Sequence, residues 1–184
     1  MSLARPLLIA LLALGLTGCD RQVASPPPSA PSSTAAGTFG PTETAFAELV
    51  IATDDQALKL LDAGAARLAA PALRELAAEL GSARRAERET LHELLKQAGV
   101  AYVNNHEGHD MPGMPTEPEL SALATAADFD AEFTRLLRAH LSESTTVAGS
   151  AAESITHPAT REVAARMTGQ RKVELARLTQ LTGG

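Results

Sequence analysis

Residues 104–115 read Asn-Asn-His-Glu-Gly-His-Asp-Met-Pro-Gly-Met-Pro, which places His106, His109, Met111 and Met114 within nine positions. Imidazole and thioether ligands together suit copper, because Met favours Cu(I) and His accepts either oxidation state. The glycines and prolines would let such a segment wrap an ion. The alternative reading makes Met111 and Met114 flexible apolar filler for neighbouring helices. His140 is a separate candidate ligand. A metal site needs about three protein ligands, so His140 would act with others, or else serve as a core residue hydrogen-bonded to Glu174 or Gln170. His92 and His157 fall off the apolar stripes or in a turn, and solvent exposure is expected for both.

Catalysis finds no constellation. A di-iron bundle needs a Glu-x-x-His pair on each of two helices. Glu89-Thr-Leu-His92 supplies one pair, and its repeat partners are Ala176 and Thr179. There is no Gly-rich phosphate loop, nucleophile elbow or His-Glu-x-x-His in the sequence. No enzymatic activity is expected. A net charge of −6 over 184 residues lacks the basic footprint of nucleic-acid binding.

The single cysteine, Cys19, excludes an internal disulfide framework. It follows Arg5, an apolar run from Leu7 to Leu16, and Thr17-Gly18, which is the pattern of a secretory signal peptide. Ten apolar residues are too few for a bilayer span, which takes about 20. Residues 1–18 are therefore expected to be a cleaved leader. Leu16-Thr17-Gly18-Cys19 resembles a bacterial lipobox, which implies lipidation of Cys19 and anchoring of the chain to a membrane. The chain from 19 to 41 is rich in Pro, Ser and Ala and reads as a flexible tether. The folded part is expected over 42–184.

Helices must position the candidate residues. Hydrophobic residues make up 45% and aromatics 3%; Ala and Leu carry the apolar content, which favours helix over β-sandwich. Phe46, Leu49, Val50, Ala57, Leu60, Leu61 and Leu68 recur at steps of three and four, marking one helical face. Pro71 suits a first helical turn, Leu73, Leu76, Leu80, Leu91 and Leu94 continue the stripe, and Gly99 suits a stop. Phe129 to Ile155 and Pro158 to Leu178 repeat the two patterns. Thr116-Glu117-Pro118-Glu119 reads as a capping box opening a short helix in the connection.

Adding 87 to each number superposes the halves. Pro71-Ala72, Arg74-Glu75, Ala77-Ala78, Arg84 and Glu87 fall on Pro158-Ala159, Arg161-Glu162, Ala164-Ala165, Arg171 and Glu174, eight identities in seventeen positions without a gap. Such self-similarity marks an internal repeat. The expected fold is all-α, a four-helix bundle of two repeated antiparallel hairpins over about 42–99 and 128–182, with a connecting loop over 100–127. The offset pairs Thr53 with His140. Counting back from the hairpin turns sets His140 level with 170–174 and Thr53 level with 83–87. The expected polar centre is Thr53, His140, Gln170, Glu174 and Glu87.

These residues resemble the DUF305 family of secreted bacterial proteins. The carriers are Met111-Pro-Gly-Met114, the stretch from Phe129-Asp130 through Phe133 to Leu136-Leu137-Arg138-Ala139-His140, and Gln170 with Glu174-Leu175 and Leu178. The resemblance implies a duplicated, ferritin-like four-helix fold. It also implies copper binding, in which some members are implicated. Members usually carry paired histidines in each half; here the corresponding segments read Val50-Ile51-Ala52-Thr53-Asp54-Asp55-Gln56 and Leu137-Arg138-Ala139-His140-Leu141-Ser142-Glu143. Only His140 remains of the four, which shifts the expected site toward the loop of His106, His109, Met111 and Met114. The expected function is copper binding or handover by an envelope lipoprotein facing the periplasm or cell exterior. The alternative is a metal-free structural or protein-interaction module, with an envelope protein as partner.

Overall fold

A computed structural model describes residues 37–183. The leader, Cys19 and most of the tether lie outside the described residues. Four long helices form the bundle: α1 (Pro41–Arg67), α2 (Pro71–Gln97), α4 (Phe129–Ser154) and α5 (Pro158–Thr182), with the short α3 (Glu117–Ala124) in the connection. None of the described helices is long and apolar enough to cross a membrane. α1 pairs with α2 and α4 with α5 as hairpins; the halves meet through α1 against α4 and α2 against α5.

The helix ends follow the local chemistry. Pro41, Pro71 and Pro158 open their helices, where a missing N–H removes a donor that has no intrahelical acceptor. Gly99 adopts φ +70°, and Val100 N donates to Leu95 O at 2.9 Å, closing α2 in a left-handed turn that favours glycine. The expected capping box forms: Thr116 N donates to Glu119 Oε2 at 3.0 Å, and Glu119 N donates to Thr116 Oγ1 at 3.3 Å. His157 is half-buried rather than exposed, and it caps α5 by accepting from Thr160 N.

The two hairpins clasp each other reciprocally. Glu43 accepts from the backbone N–H groups of Thr156 and His157, at 3.0 and 3.1 Å, in the turn between α4 and α5. Its repeat equivalent, Asp130, accepts from Ala69 N and Ala70 N, at 3.0 and 3.2 Å, in the turn between α1 and α2. Residues 69 and 70 lie 87 positions before 156 and 157, so one contact has been written twice. Phe133 of α4 packs so closely on Gly64 that a Cβ there would lie 2.2 Å from its ring.

The apolar core has two clusters. Leu60, Leu68, Leu76, Leu80, Phe133, Leu137 and Leu178 belong to one, and Phe46, Val50, Ile51, Leu91, Ile155, Val163 and Met167 to the other. Burying each large side chain contributes about 1.5–3 kcal/mol. Between the clusters on α2 lie Arg84 and Glu87, on α5 Arg171 and Glu174, and on α1 Asp54. Both arginines are 0% exposed and Asp54 is 1% exposed. Arg84 Nη2 donates to Glu174 Oε2 at 2.5 Å, and Arg171 Nη2 donates to Glu87 Oε1 at 2.5 Å. Each guanidinium thus pairs with the carboxylate of the opposite half. Asp54 Oδ1 stands 3.7 Å from Arg84 Nε and 3.6 Å from Arg171 Nη2.

Two outcomes test this architecture. Breaking a buried ion pair from one side leaves an uncompensated charge and costs about 3–5 kcal/mol. Arg84→Met should therefore lower the denaturation midpoint strongly, and Arg84→Met combined with Glu174→Met should recover most of the loss in a double-mutant cycle. Glu43 is the second. Burial raises its pKa, but donation by the backbone of His157, Gly40 and Thr156, and by its own N–H, outweighs that and holds it at about 2. A depressed folded-state pKa gives stability that is complete above the unfolded value near 4.5 and is lost as pH falls through the folded value. Glu43→Gln should cost about 2 kcal/mol at neutral pH and flatten the fall in stability between pH 4.5 and 2, as read by chemical denaturation across that range.

A cavity beneath the connecting loop

His140 sits on α4 and is 1% exposed. Its Nδ1 lies 3.2 Å from the carbonyl oxygen of Gly113. A carbonyl only accepts, so Nδ1 carries the proton and donates. Burial first, then the nearby Arg84 and Arg171 guanidiniums, push the imidazole pKa well below its usual range, against the Gly113 bond that favours the charged form. The ring is therefore neutral and Nε2 is a bare lone pair. Nε2 has no hydrogen-bond partner among the described residues.

Nε2 belongs to a residue lining a cavity of about 170 Å³. Met111, Pro112 and Gly113 of the connecting loop line it together with Asp54, Met167 and Arg171. Gly113 adopts φ +72°, and a Cβ there would meet Glu143 Cβ at 2.5 Å and Ala139 O at 2.9 Å. Only glycine lets the loop lie this close to α4 with its carbonyl on His140. The loop thereby fixes the tautomer of the histidine in the manner of a partner behind a metal ligand.

Asp54 is the electrostatic neighbour. Burial, with the charge of Glu87 beside it, raises its pKa well above the carboxylate range, against the pull of Arg171 and Arg84; Glu87 also favours the neutral acid by hydrogen bonding. The upward shift favours the neutral acid of Asp54 beside the two Arg–Glu pairs. Arg171 Nε donates to Ser144 Oγ at 3.2 Å, while its Nη1 has no hydrogen-bond partner among the described residues.

The structure rearranges the expected residue sets. Met111 lines the cavity of His140, whereas Met114 is 6% exposed and packs as core filler. His106 is half-buried and His109 exposed, with ring centroids 6.3 Å apart. The loop residues thus divide between the cavity, the core and the surface. Gln170, expected in the polar centre, lies on the exposed side of α5, because Arg171, one residue and about 100° further round the helix, takes the inward place. Thr53 is half-buried, donates to Val50 O of its own helix at 3.0 Å, and lines the same cavity as His140. Glu87 and Glu174 do reach the centre, paired with arginines and not with His140. Sequence reasoning missed Asp54, Arg84 and Arg171 as centre residues. The signal was present in the repeat, which preserves Arg-x-x-Glu at both 84–87 and 171–174.

His140, Met111 and Met167 line one cavity, and imidazole and thioether are the donor types that suit a soft cation. Among the described residues there is no group of three or more His, Cys, Asp or Glu able to hold a metal ion. A carboxylate-rich divalent site is therefore not present in that set.

The solved structures similar to this chain share its fold. A DUF305 fragment from Deinococcus radiodurans matches with a TM-score of 0.68 and 19% identity, covering 78% of this chain and 97% of its own. A DUF305 protein of Streptomyces coelicolor, described as a candidate secreted protein, matches with a TM-score of 0.70 and 19% identity, covering 77% and 92%. CopM in its Cu(II)-bound form matches with a TM-score of 0.64 and 21% identity, covering 76% and 94%. No curated protein matches the chain. The profile of DUF305, a domain of unknown function, matches residues 43–182, and with the duplicated bundle in place the chain belongs to the DUF305 family.

Proposed function

We propose that this chain is a non-catalytic copper-handling protein of the bacterial cell envelope, anchored by lipid at Cys19, that holds Cu(I) in the cavity beneath the connecting loop. The observation that carries the reading is His140, neutral, buried, fixed in its tautomer by Gly113 O and with Nε2 unpartnered among the described residues, on the lining of a cavity that Met111 and Met167 also line. Imidazole with two thioethers is a soft, uncharged ligand set that favours Cu(I) over Zn(II) or Cu(II). The guanidiniums of Arg84 and Arg171 close to His140 add to that preference, since they oppose a doubly charged ion more than a singly charged one. The Cu(II)-bound state of CopM, a structural neighbour, adds support at the level of the fold. On this reading His106 and His109, whose rings lie 6.3 Å apart on the same connecting segment, take up the ion first.

A second reading has its own observation. The ion-paired arginines fill the centre of the bundle, and such a network serves a metal-free structural or interaction module equally well. An anaerobic Cu(I) titration of the full-length chain against a chromophoric chelator separates the two. The copper reading expects one equivalent bound, affinity lowered at least tenfold by Met111→Leu with Met167→Leu, and binding lost in His140→Ala while that variant still unfolds cooperatively at a lowered melting temperature. His106→Ala with His109→Ala should slow uptake and leave the equilibrium constant in place. Absence of competition by the unmodified protein would sink copper handling and favour the module.

A further inference from the structure

Three methionines follow Met1 in the chain: Met111, Met114 and Met167. A thioether is oxidised where an oxidant reaches its sulfur, so exposure decides which of them reacts first. Met114 and Met167 are 6% and 2% exposed and belong to the core. Met111 is half-buried, between exposed Asp110 and exposed Pro112. The loop around it is held by local bonds, His109 N to His106 O and Met114 N to Met111 O, both at 3.1 Å, and by the Gly113 carbonyl on His140.

Room decides whether the product can be kept. A sulfoxide adds one oxygen and makes an apolar side chain polar, which a packed core does not tolerate. Met111 lies on the lining of two cavities, the one of about 170 Å³ that His140 also lines and another of about 180 Å³ shared with Asp110, Glu119 and Ala139. Met167 borders the first and Met114 the second, but with almost no accessible surface. Exposure therefore singles out Met111, and the space beside it lets the folded chain carry the added oxygen. The change also alters what the side chain can hold. A thioether sulfur is a soft donor that suits Cu(I), and a sulfoxide presents a hard oxygen in its place.

We propose that Met111 is a reversible oxidation site, modified by hydroperoxides in preference to Met114 and Met167, and that its sulfoxide form no longer helps to hold Cu(I). The sulfur lone pair attacks one oxygen of the peroxide, the S–O bond forms as the O–O bond breaks, and the departing hydroxide takes the remaining proton and leaves as water. Sulfur gives up two electrons and the peroxide gains them. The modification needs no metal; its effect on copper rests on the copper-handling reading.

Hydrogen peroxide added to the metal-free, full-length chain tests the site, with oxygen incorporation at each methionine followed by peptide mass mapping. Met111 should gain one oxygen about tenfold faster than Met114 or Met167, and in urea the three rates should converge. Methionine sulfoxide reductases specific for the two epimers should together remove that oxygen from the folded chain. The oxidised chain should bind Cu(I) about tenfold more weakly than the reduced chain and regain its affinity once the reductases have acted. Peroxide should change the Cu(I) affinity of Met111→Leu no further, which separates oxidation at Met111 from damage elsewhere. Equal rates at Met111 and at a buried methionine of the folded chain would overturn the site. An oxidised chain that binds Cu(I) as tightly as the reduced one would overturn its consequence. A reduced chain that takes up no Cu(I) ends the copper reading and the effect on copper with it, while the mapping and the reductase reversal, both read without metal, still decide the site.

Discussion

Two guanidinium groups lie wholly inside this bundle, and the fold depends on their neutralisation. A buried charge without a partner is not tolerated at the stability of an ordinary domain, about 5–15 kcal/mol. Here each arginine finds its carboxylate on the other half of the molecule, at 2.5 Å in both cases. The same-half contacts, Arg84 to Asp54 at 3.7 Å and Arg171 to Glu174 at 3.8 Å, are longer, so the close pairs of the charge layer tie one hairpin to the other. The apolar clusters on either side supply the larger share of the burial, but leucines and alanines tolerate many packings. The ion pairs tolerate few, and so they select one register between the hairpins.

Duplication explains how such a layer arises without a search for complementary surfaces. A hairpin carrying Arg-x-x-Glu on its second helix meets a copy of itself about a twofold axis, and each Arg then faces the other Glu. The same relation sets Glu43 on the turn at 156–157 and Asp130 on the turn at 69–70. Every contact of this kind comes in two copies because symmetry generates the second from the first.

The cavity sits where that symmetry fails. His140 has Thr53 as its counterpart and Asp54 has Leu141, so one half contributes an imidazole and the other a carboxyl. The connecting segment exists once and can cover only one side of the bundle. Its Gly113 carbonyl fixes the proton of His140, and Met111 and Pro112 line the space beside it. The repeated parts of the chain therefore serve the fold, and the unrepeated parts shape the site.

Local chemistry was written in the sequence by itself: the helices, their proline starts, the Gly99 stop, the Thr116–Glu119 box, the repeat, and the inward place of His140. These follow from periodicity and from hydrogen bonds that close within a few residues. The partners of the central side chains were decided only by tertiary structure. Gln170 and Arg171 are neighbours on one helix, and a stripe with a boundary uncertain by one residue admits either. The choice falls to Arg171 because Glu87, 84 residues away in the chain, waits across the interface. The separation of Met111 from Met114 has the same origin. In sequence they form one motif with His106 and His109, but the loop packs Met114 into the core and leaves Met111 beside His140, because its path is set by the helix surface it covers.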